Sequence, residues 1–191
     1  NADGSTYKLE NVPLTNYNVL VLDQTLKHNS SISFVNTNTW RSGGGYDANV
    51  SSALFNLNDK TNTWNVGGNI NVSSLFGKEG KDITGYAHGF YFGKVSGNFN
   101  FNVWHELSND KYDKSDLGYF TNNNTIDQGI WMAYNRNKPK GWYNYFKMNW
   151  EVWYSRLVSP IDILQRKEMM FQNAGGIINS NAQTKKLWNV G

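Results

Sequence analysis

From Thr63 to Ser74 the chain reads TWNVGGNINVSS, and every second residue from Trp64 is apolar or glycine: Trp64, Val66, Gly68, Ile70, Val72. Between them stand Asn65, Gly67, Asn69, Asn71 and Ser73. A period of two puts these sets on opposite sides of a β-strand, one oily and one wet. The alternation recurs along the chain. Strand-like runs fall at Asn16–Leu26, Ser31–Trp40, Tyr46–Leu57, Thr63–Leu75, Ile83–Phe92, Asn98–Leu107, Thr125–Asn135, Trp142–Arg156 and Glu168–Ser180, with a tenth opening at Leu187. Most span about 10 residues, the length of a strand that crosses a bilayer, whereas globular strands average roughly 5–6.

The connections alternate in length. Short turns are expected at Lys27–Ser30, Asn58–Asn62, Gly93–Gly97, Lys138–Gly141 and Asn181–Lys186. Between them fall longer loops at Leu75–Asp82, Ser108–Asn124 and Leu157–Lys167, and a modest one at Arg41–Gly45. Short turns at one end and long loops at the other are the habit of an outer-membrane meander. No linker, helical periodicity or domain boundary interrupts the pattern, and Pro13 opposes a strand before Asn16. The fold class this predicts is all-β: an antiparallel up-and-down meander of about nine or ten strands. It reads as part of a transmembrane outer-membrane β-barrel, one partial barrel domain over residues 1–191. The chain opens without Met or a signal segment and stops as a strand begins. It is therefore expected to be a fragment of a larger barrel that does not close by itself.

The faces sharpen the expectation. Phe99, Phe101 and Val103 oppose Asn98, Asn100 and Asn102; Phe146, Met148, Trp150, Val152 and Tyr154 oppose Tyr145, Lys147, Asn149, Glu151 and Ser155. The apolar members, with Val66, Ile70 and Val72, are expected to face lipid, and the Asn-rich set a wet lumen. Trp64 and Trp142 each follow a short turn and Trp40 precedes a longer loop, positions that fit aromatic girdles at the membrane interfaces. The competing reading is a soluble carbohydrate-binding β-sandwich. There the oily face packs on a second sheet, and exposed Trp and Tyr stack on sugar rings.

Composition narrows the classes. The chain has 29 Asn, 18 Gly and 8 Trp but only 3 Pro, a turn-rich and aromatic mixture that argues for β-structure and against disorder. The net charge of +3 is dispersed, so nucleic-acid binding has no basic block to rest on. Without cysteine there is no disulfide framework and no Cys-based metal site. No run of 18 apolar residues exists, which leaves a closed barrel as the only route across a bilayer.

Several stretches resemble a known family: NYNVLVLDQTLKHNSSISFVNTN from Asn16, LFNLNDKTNTWNVGGN from Leu54, GFYFGKVSGNFNFNV from Gly89 and, most specific, NDKYDKSDLGYFTNNN from Asn109. They are similar to the C-terminal region of a family of Bacteroidota outer-membrane proteins classed as a domain of unknown function. The resemblance implies a β-barrel that follows a carbohydrate-binding module of the family-9 type, a module absent from this chain. It implies outer-membrane lipid as the surroundings, and other outer-membrane proteins or glycans as partners. It implies no established activity.

Candidate chemistry is sparse. Asp110, Asp113 and Asp116 recur every third residue ahead of Gly118, and such bunched carboxylates could hold Ca²⁺. The spacing is not that of an EF-hand, and Lys111 and Lys114 interleave. A structural loop with Asp side chains bonded to nearby backbone amides is the bland alternative, and the family resemblance reads the motif that way. His28, His88 and His105 are scattered and lack metal-ligand spacing. His105 and Glu106 point to opposite faces, so they form no dyad. Glu106 and Glu151 are expected to face the lumen, but with no known separation they assign no carboxylate pair for glycoside hydrolysis. RSGGGYD from Arg41 is Gly-rich but opens no helix, so it is no phosphate cradle. Sequons at Asn29, Asn49, Asn71 and Asn123 follow from Asn abundance. With no active site and no cofactor motif, the expected function is non-enzymatic, a surface or complex-forming role.

Overall fold

A computed structural model describes residues 13–43, 45–117, 122–160, 162–163, 166–167 and 170–191. The chain forms β1 (Thr15–Leu26), β2 (Ser30–Arg41), β3 (Asp47–Asn58), β4 (Trp64–Lys78), β5 (Lys81–Lys94), β6 (Phe99–Ser108), β7 (Thr125–Arg136), β8 (Tyr143–Leu157), β11 (Phe171–Thr184) and β12 (Asn189–Val190). These ten strands make one antiparallel sheet in sequence order. A short pairing of β9 (Asp162–Ile163) with β10 (Arg166–Lys167) lies in the loop after β8. The sheet is open, with β1 and β12 at its edges.

Register assigns the two faces. Ile70 lies opposite Ala53 on one side and His88 on the other, while Asn69 lies opposite Leu54 and Gly89. Carried strand by strand, one oily face holds Val66, Ile70, Val72, Phe99, Phe101, Val103, Phe146, Met148, Trp150 and Val152 together. The other, polar face carries Asn65, Asn69, Asn102, Glu106, Asp127 and Glu151.

Burial favours the polar face, where small apolar residues such as Ala48, Val50 and Ala87 are sealed beside hydroxyls. The two most buried side chains are Thr39 and Ser73, both on the polar face, at 0% and 1% exposure. Ile70 is 52% exposed and Val152 54%. Large contiguous apolar faces on soluble monomers are normally covered. Here no described residue covers the oily one.

The ends of the sheet depart from the expected lengths in places. The stretch Leu75–Asp82, expected as a longer loop, is a tight hairpin around Glu79 and Gly80, whose φ of 53° and 74° suit a primed two-residue turn. Gly77 (φ 75°) absorbs the register shift just before it, so the strands extend where the polar sequence read as loop. β11 runs on to Thr184, and its expected start at Glu168 lies outside the described residues. The chain reversals still alternate between the two ends. The turns at residues 27–29, 59–63, 95–98, 137–142 and 185–188 lie at one end; those at 42–46, 79–80, 109–124 and 158–170 lie at the other.

The β3–β4 turn is built on one carboxylate. Asp59 accepts from the amides of Thr61, Thr63 and Trp64 and from the Thr61 hydroxyl. The Thr61 hydroxyl first, then the Trp64 amide, holds its carboxyl down at about 2, below the ordinary 3.8. Because the folded value is depressed, the turn's contribution is whole above pH 3.8 and fades as pH falls through about 2. Amide shifts of Thr63 and Trp64, followed by NMR against pH, are expected to titrate with that midpoint. A midpoint at the ordinary value would mean that the turn is not held by Asp59.

A loop-capped polar face and a bare apolar one

On the oily face the aromatic rings pack on one another. Trp64 stacks on Phe92, with centroids 5.6 Å apart and planes within 2°, and meets Phe101 edge-on at 6.0 Å. Phe101 touches Phe99, and Tyr134 touches Phe146. Trp64 and Trp142 sit at the short-turn end, and Trp40 at the other. All three are exposed, at 42%, 61% and 56%. A band of exposed rings therefore borders the short-turn end of the sheet.

The same face also carries polar groups: toward the long-loop end Asn36, Asn38, Asn49 and Ser51 bond one another across β2 and β3, and nearer its middle lies a histidine pair. His88 and His105, scattered in sequence, meet across β5 and β6 with Nε2 atoms 3.3 Å apart, and Gln128 lies 2.9 Å from His105 Nδ1. Hairpin register brings them together, which residue spacing could not reveal. His28 stays apart in the first turn, with φ 61°. Glu106 falls on the face opposite His105.

The long β6–β7 loop folds over the polar face at the other end. Gly85 admits it: a Cβ there would stand 2.2 Å from the Tyr112 nitrogen. Tyr112 is 5% exposed, above a floor that includes Ala48, Leu75 and Ala87. The Asp113 amide donates to Ser73 Oγ at 3.0 Å, and the Tyr86 amide donates to Asn109 Oδ1 at 3.0 Å.

Two of the loop's three carboxylates are paired. Asp116 pairs with Arg41 and accepts from the Tyr46 hydroxyl at 3.1 Å. Asp113 pairs with Lys78 at 3.3 Å and accepts from the Ser115 amide and hydroxyl. Burial pushes the Asp113 carboxyl up, but Ser115 and Lys78 outweigh it and hold the group below its ordinary value. Burial, then the bond to Asp116, raises the Tyr46 phenol. Arg41 and Lys78 both lie over the Tyr46 ring, 4.6 and 5.0 Å from its centroid. Asp110 lends its carbonyl to the Asn123 amide. Asp110, Asp113 and Asp116 thus lie in one loop, with two of the three carboxylates committed to cations of neighbouring strands. Among the described residues no group of three His, Asp or Glu side chains is placed to hold a metal ion. Arg41 and Tyr46, from the stretch dismissed as a phosphate cradle, are the anchors of this cap. The signal that would have found them is charge: a lone Arg beside Gly residues, with a cluster of Asp residues far along the chain to receive it.

A ten-stranded antiparallel meander with one face bare and apolar and the other polar and loop-capped defines an all-β, open-sheet class of protein. The family model described as "Domain of unknown function (DUF5916)" matches residues 1–191, and the chain belongs to that family. No curated protein and no solved structure matches it.

Proposed function

We propose that the chain is a segment of an outer-membrane β-barrel from a Bacteroidota-type bacterium, with the oily face toward lipid and the polar face toward the lumen. The observation that carries this reading is the one-sided burial: Thr39 and Ser73 are sealed, while Ile70, Val152 and the ring band stand bare. Strand length supports it, since β4 and β8 each run 15 residues. The open edges at β1 and β12 support further strands in the same barrel. The protein then acts without catalysis, as a surface or complex-forming component, with glycan capture by an upstream family-9-like module. A soluble sandwich would need a second sheet against Ile70, and the described residues supply none.

In this reading the capped end faces outward, because short turns face the periplasm in such barrels. A cysteine at Lys114 in the long loop is expected to react with an impermeant reagent on intact cells, and one at Lys60 in the short turn to stay silent. Labelling of Lys60 alone would invert the orientation. Partition of the protein into buffer without detergent would end the barrel reading altogether.

A further inference from the structure

We infer that the polar face carries a binding strip for a neutral oligosaccharide, built on Tyr91, Trp104 and Trp153. The three lie in one register row, Gly67–Tyr91–Trp104–Gly129–Trp153–Gly175, running across β4 to β11. Each ring lies down on a glycine. A Cβ at Gly67 would stand 2.3 Å from the Tyr91 Oη, one at Gly129 2.6 Å from Trp104 Cζ2, and one at Gly175 2.4 Å from Trp153 Cζ2. Covering strand glycines is a structural service in itself. It also lays the rings parallel to the sheet, with one side against backbone. All three are half-buried, and among the described residues none touches another aromatic ring, unlike the packed rings of the oily face.

The rows on either side supply hydrogen-bonding groups with nothing to bond. Glu106 and Asp127 face each other across β6 and β7, one row above. Asn102 and Glu151 lie in the row below. Among the described residues none of these four side chains has a hydrogen bond or ion pair, whereas Asp113 and Asp116 of the cap are both paired. Like charges set directly opposite are unfavourable without donors between them. Two cavities, of about 240 and 300 Å³, open on this face and meet at Asn69; Glu106 and Asp127 line the first, Tyr91 the second.

Flat apolar rings beside free carboxylates and amides match a ligand with an apolar ring face and hydroxyls around its edge. Hydroxyls donate to carboxylates and both donate to and accept from amides. A compact cation would pair with the carboxylates but leave the three rings and the Asn amides unused, whereas a sugar engages all of them. The strip needs the barrel reading only to place it in a lumen.

The test uses the full-length protein in detergent, titrated calorimetrically with soluble neutral oligosaccharides of glucose and of xylose, with the upstream module titrated by itself so that its own binding is subtracted. Heat-modifiable migration on gels is checked in parallel for each variant. Trp104→Ala is expected to weaken binding about five- to tenfold, the scale of one lost ring contact. Trp104→Phe, which keeps Gly129 covered, is expected to recover most of it, and Glu106→Gln to weaken it independently of any ring. Sugar binding unchanged in Trp104→Ala, with migration intact, overturns the strip and leaves the barrel standing. If the alanine variant does not fold, unchanged affinity in Glu106→Gln overturns it instead. No binding of any neutral sugar, or binding of spermidine that salt abolishes, overturns it as well. Loss of heat-modifiable behaviour in the wild type strikes the barrel reading alone.

Discussion

Ile70→Lys is expected to cut the yield of folded protein in outer membranes sharply, whereas Asn69→Lys, one residue away, leaves it nearly unchanged. Ile70 stands in the middle of β4 on the oily face, between Ala53 and His88, and Asn69 stands on the polar face. An ammonium among acyl chains near the midplane costs roughly 2–4 kcal/mol. The neighbouring His88–His105 pair softens this toward the lower figure by offering a polar contact. On the polar face the ammonium of Asn69→Lys keeps its charge in water, beside the unpaired Glu106. A protein core would reject Ile70→Lys too, so Ile70→Leu and Ile70→Trp decide what the solvent is. Lipid adapts to either shape, but a close-packed interface typically loses about 1–3 kcal/mol on overpacking. The readout is yield and heat-modifiable migration of full-length variants. If Ile70→Trp fails as badly as Ile70→Lys, the face is covered by protein and the lipid reading is wrong.

Gly85→Val is the second large effect, and it acts on the cap. Its Cβ would meet the Lys111 carbonyl carbon, the Tyr112 nitrogen and the Lys111 oxygen at 2.2, 2.2 and 2.3 Å. Backbone cannot swing aside as a side chain would. The loop is held there by the Tyr112 amide on the Asn109 carbonyl, Asn123 on the Tyr112 carbonyl and Asp113 on Ser73. The expected result is eviction of the loop, with loss of the Asp116–Arg41 and Asp113–Lys78 pairs. Arg41 and Asp116 are only 14% and 10% exposed at their side chains, so eviction of the loop returns both charges to solvent and forfeits their pairing. Trypsin should then cut after Lys111 and Lys114 far faster than in the wild type. Gly176→Ala is the control, because its Cβ meets nothing closer than 3.2 Å. Equal cleavage in Gly85→Val and wild type would mean that the loop does not rest on the sheet.

Alternation along single strands was enough to read the strands of the sheet and to put Val66, Ile70, Phe101, Val103, Met148 and Val152 on one side. That property is local: consecutive side chains in an extended chain point opposite ways whatever they pair with. The hairpin at Glu79–Gly80 was hidden because Lys78, Glu79 and Lys81 look like loop, and only the left-handed backbone at two successive residues makes them a turn.

Local pattern thus dictated the two-faced strand, its length, and the alternation of chain reversals between the ends of the sheet. The meetings between strands came from the folded chain as a whole. His88 reaches His105, Arg41 reaches Asp116 across 75 residues, and Tyr91, Trp104 and Trp153 fall into one row over glycines. A shift of one residue in any hairpin would move each partner to the other face. Such contacts depend on register and loop closure summed over many turns, quantities that no window of neighbouring residues contains.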